Sequence, residues 1–302
     1  MDAATTFVED SLNGVIWNLV PWFLVAAGVY FGLRTLFVQI RMVPDMFKAV
    51  SERPKGKDRE GRDLDEEYGG LSAFKAFTIS AASRVGTGNI AGVALAISIG
   101  GPGAVFWMWM LALLGGATAF VESTLAQLWK TKDSDGNYHG GPAYYMTRGL
   151  GWKPLAVIFS AFLAVTYGFV YNAIQTNSIA EAVGGSLGSD SVALKAVVAG
   201  VIAVLTALII FGGVTRIASW TQVIVPFMAG AYILIGIAVV VINWREIPGM
   251  VELIVGHAIG LEQVAGAGVG AAFAQGMRRG LFSNEAGMGS APNAAATATV
   301  SH

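Results

Sequence analysis

The feature that most limits what this chain can fold into is a polar, glycine-rich interruption of an apolar run. Ser83-Arg84-Val85-Gly86-Thr87-Gly88-Asn89-Ile90-Ala91-Gly92 lies inside the otherwise apolar stretch from Ala76 to Ile99. Three glycines and four polar side chains in ten residues weaken a helix, and in lipid every freed backbone group must find a partner. The run therefore predicts a broken membrane helix. Ser283-Asn284-Glu285-Ala286-Gly287-Met288-Gly289-Ser290-Ala291-Pro292 repeats the design: with Gly86 laid on Gly287, Gly88 falls on Gly289, Ala91 on Pro292 and Arg84 on Glu285. Interrupted helices in corresponding places are the best sequence pointer to a transporter's binding site.

Composition agrees with a membrane setting. Apolar residues make up 54% of the 302 and charged ones 13%, and mean hydropathy is +0.60, so the chain predicts an all-α integral membrane protein. The net charge is -1 and the basic residues sit among acids, which excludes a nucleic-acid or polybasic lipid-binding role. No cysteine is present, so disulfides, iron–sulfur clusters and thiol catalysis are excluded. His139, His257 and His302 are too scattered to suggest a metal site.

Taken in order, the apolar run Val15 to Phe37 has spanning length and lacks the basic start of a signal peptide. Arg34, Arg41, Lys48, Arg53, Lys55, Lys57, Arg59 and Arg62 follow it. By the positive-inside rule the N-terminus lies outside and this loop in the cytoplasm. The broken span comes next, then Gly100-Gly101-Pro102-Gly103 as a turn, then a return span from Ala104 to Trp129. Lys130, Lys132, Arg148 and Lys153 put the following loop inside, and Gly140-Gly141-Pro142-Ala143-Tyr144-Tyr145-Met146 suits an interfacial half-helix. Spans are expected at about 155 to 181, 193 to 213 and 219 to 243, with Asp190 and Arg216 in the loops between them. Met250 to Gly260 is too short to span and reads as an interfacial or re-entrant helix. Val264 to Met277 leads through Arg278-Arg279-Gly280 into the second interruption, close to where the sequence stops. The expectation is an N-terminal portion of a longer transporter.

Gly86-Thr87-Gly88-Asn89-Ile90-Ala91 formally fits a dinucleotide fingerprint, but no acid stands where the ribose contact requires one before Glu122. No phosphate-binding loop ending in Gly-Lys-Ser/Thr occurs. The same glycines instead unwind a helix, offering carbonyls to a cation and N–H groups to a carboxylate; close helix packing through small residues is the plainer alternative. Thr87 and Asn89 favour the first reading, because a hard cation needs neutral oxygen donors. Glu122 lies inside a span, where an ionisable group marks function by default. It is expected to accept hydrogen bonds from N–H groups freed in the second broken helix, the alternative being an acid snorkelling at the cytoplasmic end. Arg84 and Glu285 could pair across the site or gate it. Tyr167, Tyr171, Gln175 and Ser178 or Ile179 recur on one helical face. Gln175 needs several partners at bilayer depth, while Tyr167, Asn172 and Asn177 read as packing.

At Arg84 to Gly92, Gly100 to Trp109, Gly140 to Met146 and Phe282 to Ala295 the sequence resembles the alanine or glycine:cation symporter family. The resemblance implies a leucine-transporter-like fold: two inverted repeats of five helices, each opening with a discontinuous helix. Residues 1-47 would form an extra N-terminal span, 48-70 a charged cytoplasmic loop, 71-243 the first repeat, and 244-302 a re-entrant helix and the start of a truncated second repeat. It implies a multi-pass protein of the plasma (inner) membrane that takes up alanine or glycine with a sodium ion by alternating access. The rivals are a passive channel, a proton-coupled carrier of another small solute, and a membrane-embedded enzyme, for which no acidic pair or activated nucleophile is found in the spans. Carried over from the fold, Thr87, Gly88, Tyr171, Gln175, Phe282, Ser283, Met288 and Gly289 would bind the substrate. The carbonyls of Ala82 and Val85 would serve one sodium site, and Asn89 with Ser283 a second. Phe282 and Met288 would flank the pocket opposite Gln175 and Tyr171 and exclude larger side chains.

Overall fold

A computed structural model describes residues 13–51, 71–134, 136–260 and 267–300. Most of the charged loop, from residue 52 to 70, therefore lies outside the described residues, as does the start of the stretch expected from Val264.

The first span is helix α1, Asn13–Arg34, followed by the short α2, Val38–Arg41, and α3, Val43–Ser51. The expected run to Phe37 ends early because Leu36 and Phe37 take left-handed backbone angles (φ 53° and 51°), which no helix can continue through. The first interrupted run becomes α4, Ala73–Arg84, and α5, Thr87–Gly100, and the return span is α6, Gly103–Leu128. A two-residue hairpin follows, β1 Thr131–Lys132 paired antiparallel with β2 Tyr138–His139. The half-helix is α7, Pro142–Arg148, with proline at its first turn, where a missing N–H costs nothing.

Next come α8, Lys153–Val165, a π turn at Thr166–Val170, α9, Tyr171–Leu187, α10, Val192–Ile210, and α11, Gly213–Ile242. Arg216 is not in a loop. It stands in the first turn of α11, and its Nη1 donates to the Leu208 carbonyl at 3.0 Å, a cation satisfying the carbonyl end of the preceding helix. A 3₁₀ turn leads into α12, Ile247–Ile259, then α13, Ala267–Asn284, and α14, Ser290–Ala296. Five helical stretches, at α1, α6, α8 through α9, α10 and α11, are long and apolar enough to cross a membrane. At 13 residues α12 is not among them.

The described residues fall into two compact units built from separate chain segments, 1–46, 88–122 and 232–288 in one, and 47–87, 123–231 and 289–302 in the other. Two of the five boundaries, Thr87/Gly88 and Met288/Gly289, fall inside the two interruptions; the others lie at Met46/Phe47, within α6 at Glu122/Ser123 and within α11 at Ala231/Tyr232. In the first unit Leu111, Met277 and Leu281 form the apolar core, packed by Trp17, Val20, Leu24 and Phe273. The Phe273 ring lies 4.9 Å edge-on from Trp107 and 5.1 Å from Trp22. Helices approach through small residues, as expected where lipid gives apolar side chains no reason to seek one another. A Cβ on Gly276 of α13 would stand 2.5 Å from the Trp107 Cβ and 2.6 Å from the Ala104 carbonyl oxygen of α6. In the second unit α14 lies on α4, and Leu71 forms a parallel bridge to Ala298.

The close approach at Gly276 makes a graded prediction. In the full-length protein, Gly276→Ala should cost about 1–3 kcal/mol through overpacking against backbone. Gly280→Ala, whose Cβ meets atoms of Leu111 and Met108 only at 3.2 Å, should cost less. Thermal unfolding of purified variants checks the order; equal losses would contradict backbone contact as the cause.

Candidate functional site

At the first break α4 stops because Val85 leaves the helical region (φ -92°, ψ 98°), its N–H still bonded to the Ala81 carbonyl. Carbonyls in the last turn of a helix, Ala82's among them, have no following helical N–H to accept from. When the helix resumes, its first donor is taken by a side chain: Thr87 N–H donates to Gln175 Oε1 at 3.1 Å. A Cβ on Gly86 would overlap the Gln175 amide, so glycine is what admits it. Gln175 comes from α9, below a π turn, a local widening that often marks functional positions. One turn earlier Tyr171 packs edge-on against Tyr167, ring centroids 4.8 Å apart.

The second break has a different local cause. Glu285, Gly287 and Gly289 all take left-handed angles (φ 53°, 84° and 81°), an uncommon conformation for a glutamate. Glu285 is 4% exposed; its N–H donates to the Leu281 carbonyl and its own carbonyl accepts from Met288 N–H. A Cβ on Gly287 would lie 3.8 Å from Glu122 Oε1. The Glu122 carboxylate is thus beside this break.

The two breaks touch within the first unit. Ser283 Oγ donates to the Gly88 carbonyl at 3.3 Å, and the Phe282 ring covers Gly88 so closely that a Cβ there would sit 2.6 Å from Cδ1. Asn89, the next residue, has its Oδ1 buried. The structure thus joins Gly88 with Phe282 and Ser283, and Thr87 with Gln175. Gly289 packs on other residues: its Cβ would overlap Phe159 and come 3.0 Å from Pro142.

The seating of α14 goes beyond what the sequence motifs foretell. Asn293 Nδ2 donates to the Gly289 carbonyl at 2.9 Å, and Gly141 has no room for a side chain beside the Asn293 amide. Gln127 Nε2 donates to the Ala295 carbonyl and Lys130 Nζ to that of Ala298, the latter at 2.7 Å. Lys130 also lies 4.1 Å from the Tyr138 ring centroid. The Gly140-Gly141-Pro142 motif is therefore part of the seat of α14. Two polar residues three apart at the end of the apolar span were the available signal.

With this geometry in place, comparison with known proteins is specific. The profile of the sodium:alanine symporter family matches residues 1–302. The amino-acid carrier protein AlsT of Bacillus subtilis (strain 168) is 52% identical over 287 residues, 95% of this chain and 58% of AlsT. The probable sodium/glutamine symporter GlnT of the same organism is 44% identical over 291 residues, 96% of this chain and 58% of GlnT. The sodium/alanine symporter AgcS of Methanococcus maripaludis is 38% identical over 300 residues, 97% of this chain and 63% of AgcS. The chain therefore spans less than two thirds of the length of these relatives.

The Thr87–Gln175 bond yields a test of local structure. Gln175→Leu in the full-length protein leaves the Thr87 donor unmet and should cost about 1–3 kcal/mol of stability. Gln175→Glu keeps an acceptor and should recover most of it. Equal loss of thermal stability in both variants would mean that this bond is not what holds the start of α5.

Proposed function

Because this chain belongs to the sodium:alanine symporter family, multi-pass membrane transporters rather than enzymes, we propose that the full-length protein carries a small zwitterionic amino acid inward with sodium. The observation that carries this reading is the contact of Ser283 and Phe282 with Gly88, which sets the end of α13, just before the second break, against the start of α5, just after the first. Half-helix ends present opposite charge, N–H groups at the start of one half and carbonyls at the end of the other. A molecule with a carboxylate and an ammonium needs both.

In this proposal the sodium ion takes neutral oxygens, the carbonyls of Ala82 and Val85 for one site and Asn89 with Ser283 for another. Thr87, Gly88, Tyr171, Gln175, Phe282, Ser283, Met288 and Gly289 bind the amino acid. Gln175 holds the Thr87 N–H in the described conformation, so an incoming carboxylate competes with the amide for that donor. The breaks open two inverted repeats of a leucine-transporter-like fold, and the protein works by alternating access about them. The N-terminus lies outside, with the charged loop after α3 in the cytoplasm. Alanine and glycine are the proposed substrates, with Phe282 and Met288 in the proposed role of limiting the pocket to a small side chain.

Uptake of labelled alanine by the full-length protein in liposomes tests the reading: an inward sodium gradient should drive accumulation. Accumulation unaffected by sodium would overturn it. Asn89→Ala should raise the sodium concentration needed for half-maximal uptake about tenfold, equivalent to roughly 1.4 kcal/mol; an unchanged requirement removes Asn89 from the site. Met288→Ala should let leucine and glutamine compete with alanine while weakening alanine only modestly, a methylene in such a pocket being worth about 1–3 kcal/mol. If that variant loses alanine altogether and still admits neither competitor, Met288 supports the helix break instead of limiting the pocket.

A further inference from the structure

Several hydroxyls on the described helices bond back to their own backbone, Ser98 to the Leu95 carbonyl, Ser178 to that of Ile174 and Ser219 to that of Thr215, at 2.9 to 3.0 Å. Thr118, on α6 between Gly115 and Glu122, does not. It is 7% exposed, and its Oγ1 is buried with no hydrogen-bond partner among the described residues. Asn284, the last residue of α13, is in the same condition, with Nδ2 buried and no partner among the described residues. Both groups line one cavity, whose apolar wall is made by Leu24, Leu111 and Leu281. The space open to the centre of a water molecule is about 10 Å³, close to the least that holds one. Gly115 lines it too, and a side chain there would overlap the Asn284 amide, so α6 is cut back where that amide enters.

We propose that one water molecule occupies this cavity and bridges Thr118 Oγ1 to Asn284. The chemistry of the lining selects water over the alternatives. A dry cavity strands two buried polar groups, which folded proteins avoid. A hard cation takes about six oxygen ligands, whereas the side chains here offer Thr118 Oγ1 and, with the amide turned over, Asn284 Oδ1, and no carboxylate lines the space. Water suits either orientation of the amide, accepting from Nδ2 or donating to Oδ1. The bridge fixes Asn284, the residue that follows Ser283, and so braces the hydroxyl that reaches Gly88. It holds whatever the protein transports.

A double-mutant cycle in the full-length protein tests the bridge, because the two side chains share no direct hydrogen bond. Thr118→Val and Asn284→Leu should each lower the thermal midpoint by a few degrees. The double variant should fall no further than the worse single one, and Thr118→Ser should match wild type. Additive losses, or a Thr118→Val variant as stable as wild type, would overturn the proposal. Should the variants fail to fold, a wild-type density map that resolves ordered water decides it. A peak within hydrogen-bond distance of both groups is expected; an empty cavity, or a direct Thr118–Asn284 bond, overturns the bridge.

Discussion

A backbone group freed inside a lipid-embedded helix must be bonded again within the protein, and both interruptions of this chain depend on how that is done. At the first, a glutamine amide from α9 accepts the Thr87 N–H. At the second, the carbonyls of Leu281 and Glu285 take up the nearby donors, and Ser283 reaches across to the Gly88 carbonyl. The partners of Thr87 N–H and the Gly88 carbonyl are a side-chain amide and a hydroxyl, whereas those at the second break are backbone carbonyls.

Small residues make the arrangement possible. Gly86 admits an amide and Gly88 a phenyl ring; the glycines at 287 and 289 supply left-handed turns and Gly141 clears space for Asn293. The same economy of size lets α13 approach α6 at Gly276. Close backbone approach lets short side chains such as Ser283 reach a carbonyl on another helix.

Much of this was legible in the sequence because its signals are local. The positions of the spans followed from apolar length, both breaks from glycine clusters, and the half-helix at Pro142 from a Gly-Pro start. Gln175 stood out because an amide at bilayer depth needs partners, although its partner, a donor 88 residues away, could not be read from spacing. The misses are tertiary in origin. Arg216 reads as a loop charge in sequence because its helix, α11, begins just three residues earlier, with only two residues joining it to α10. The hairpin at Thr131–His139 is too short for a periodic pattern, though Asp135-Gly136 is a turn signal. The seating of α14 by Gln127, Lys130 and Asn293 rests on side chains meeting carbonyls more than one hundred residues distant or within a single turn, and the spacing of Gln127 and Lys130 does not say which carbonyls they meet.

In the proposed mechanism the contact of the second break with Gly88 couples sodium to amino-acid binding in the full-length protein. Coupling between two ligands is reciprocal, so it must appear in the equilibrium affinity of either one. Calorimetric titration of alanine into the purified full-length protein, in sodium and in choline at equal ionic strength, measures it directly. Sodium should tighten alanine binding in the wild type, and Ser283→Ala should flatten that dependence without abolishing binding at high alanine. An alanine Kd that is the same in both salts, or a sodium dependence untouched by Ser283→Ala, would contradict the account.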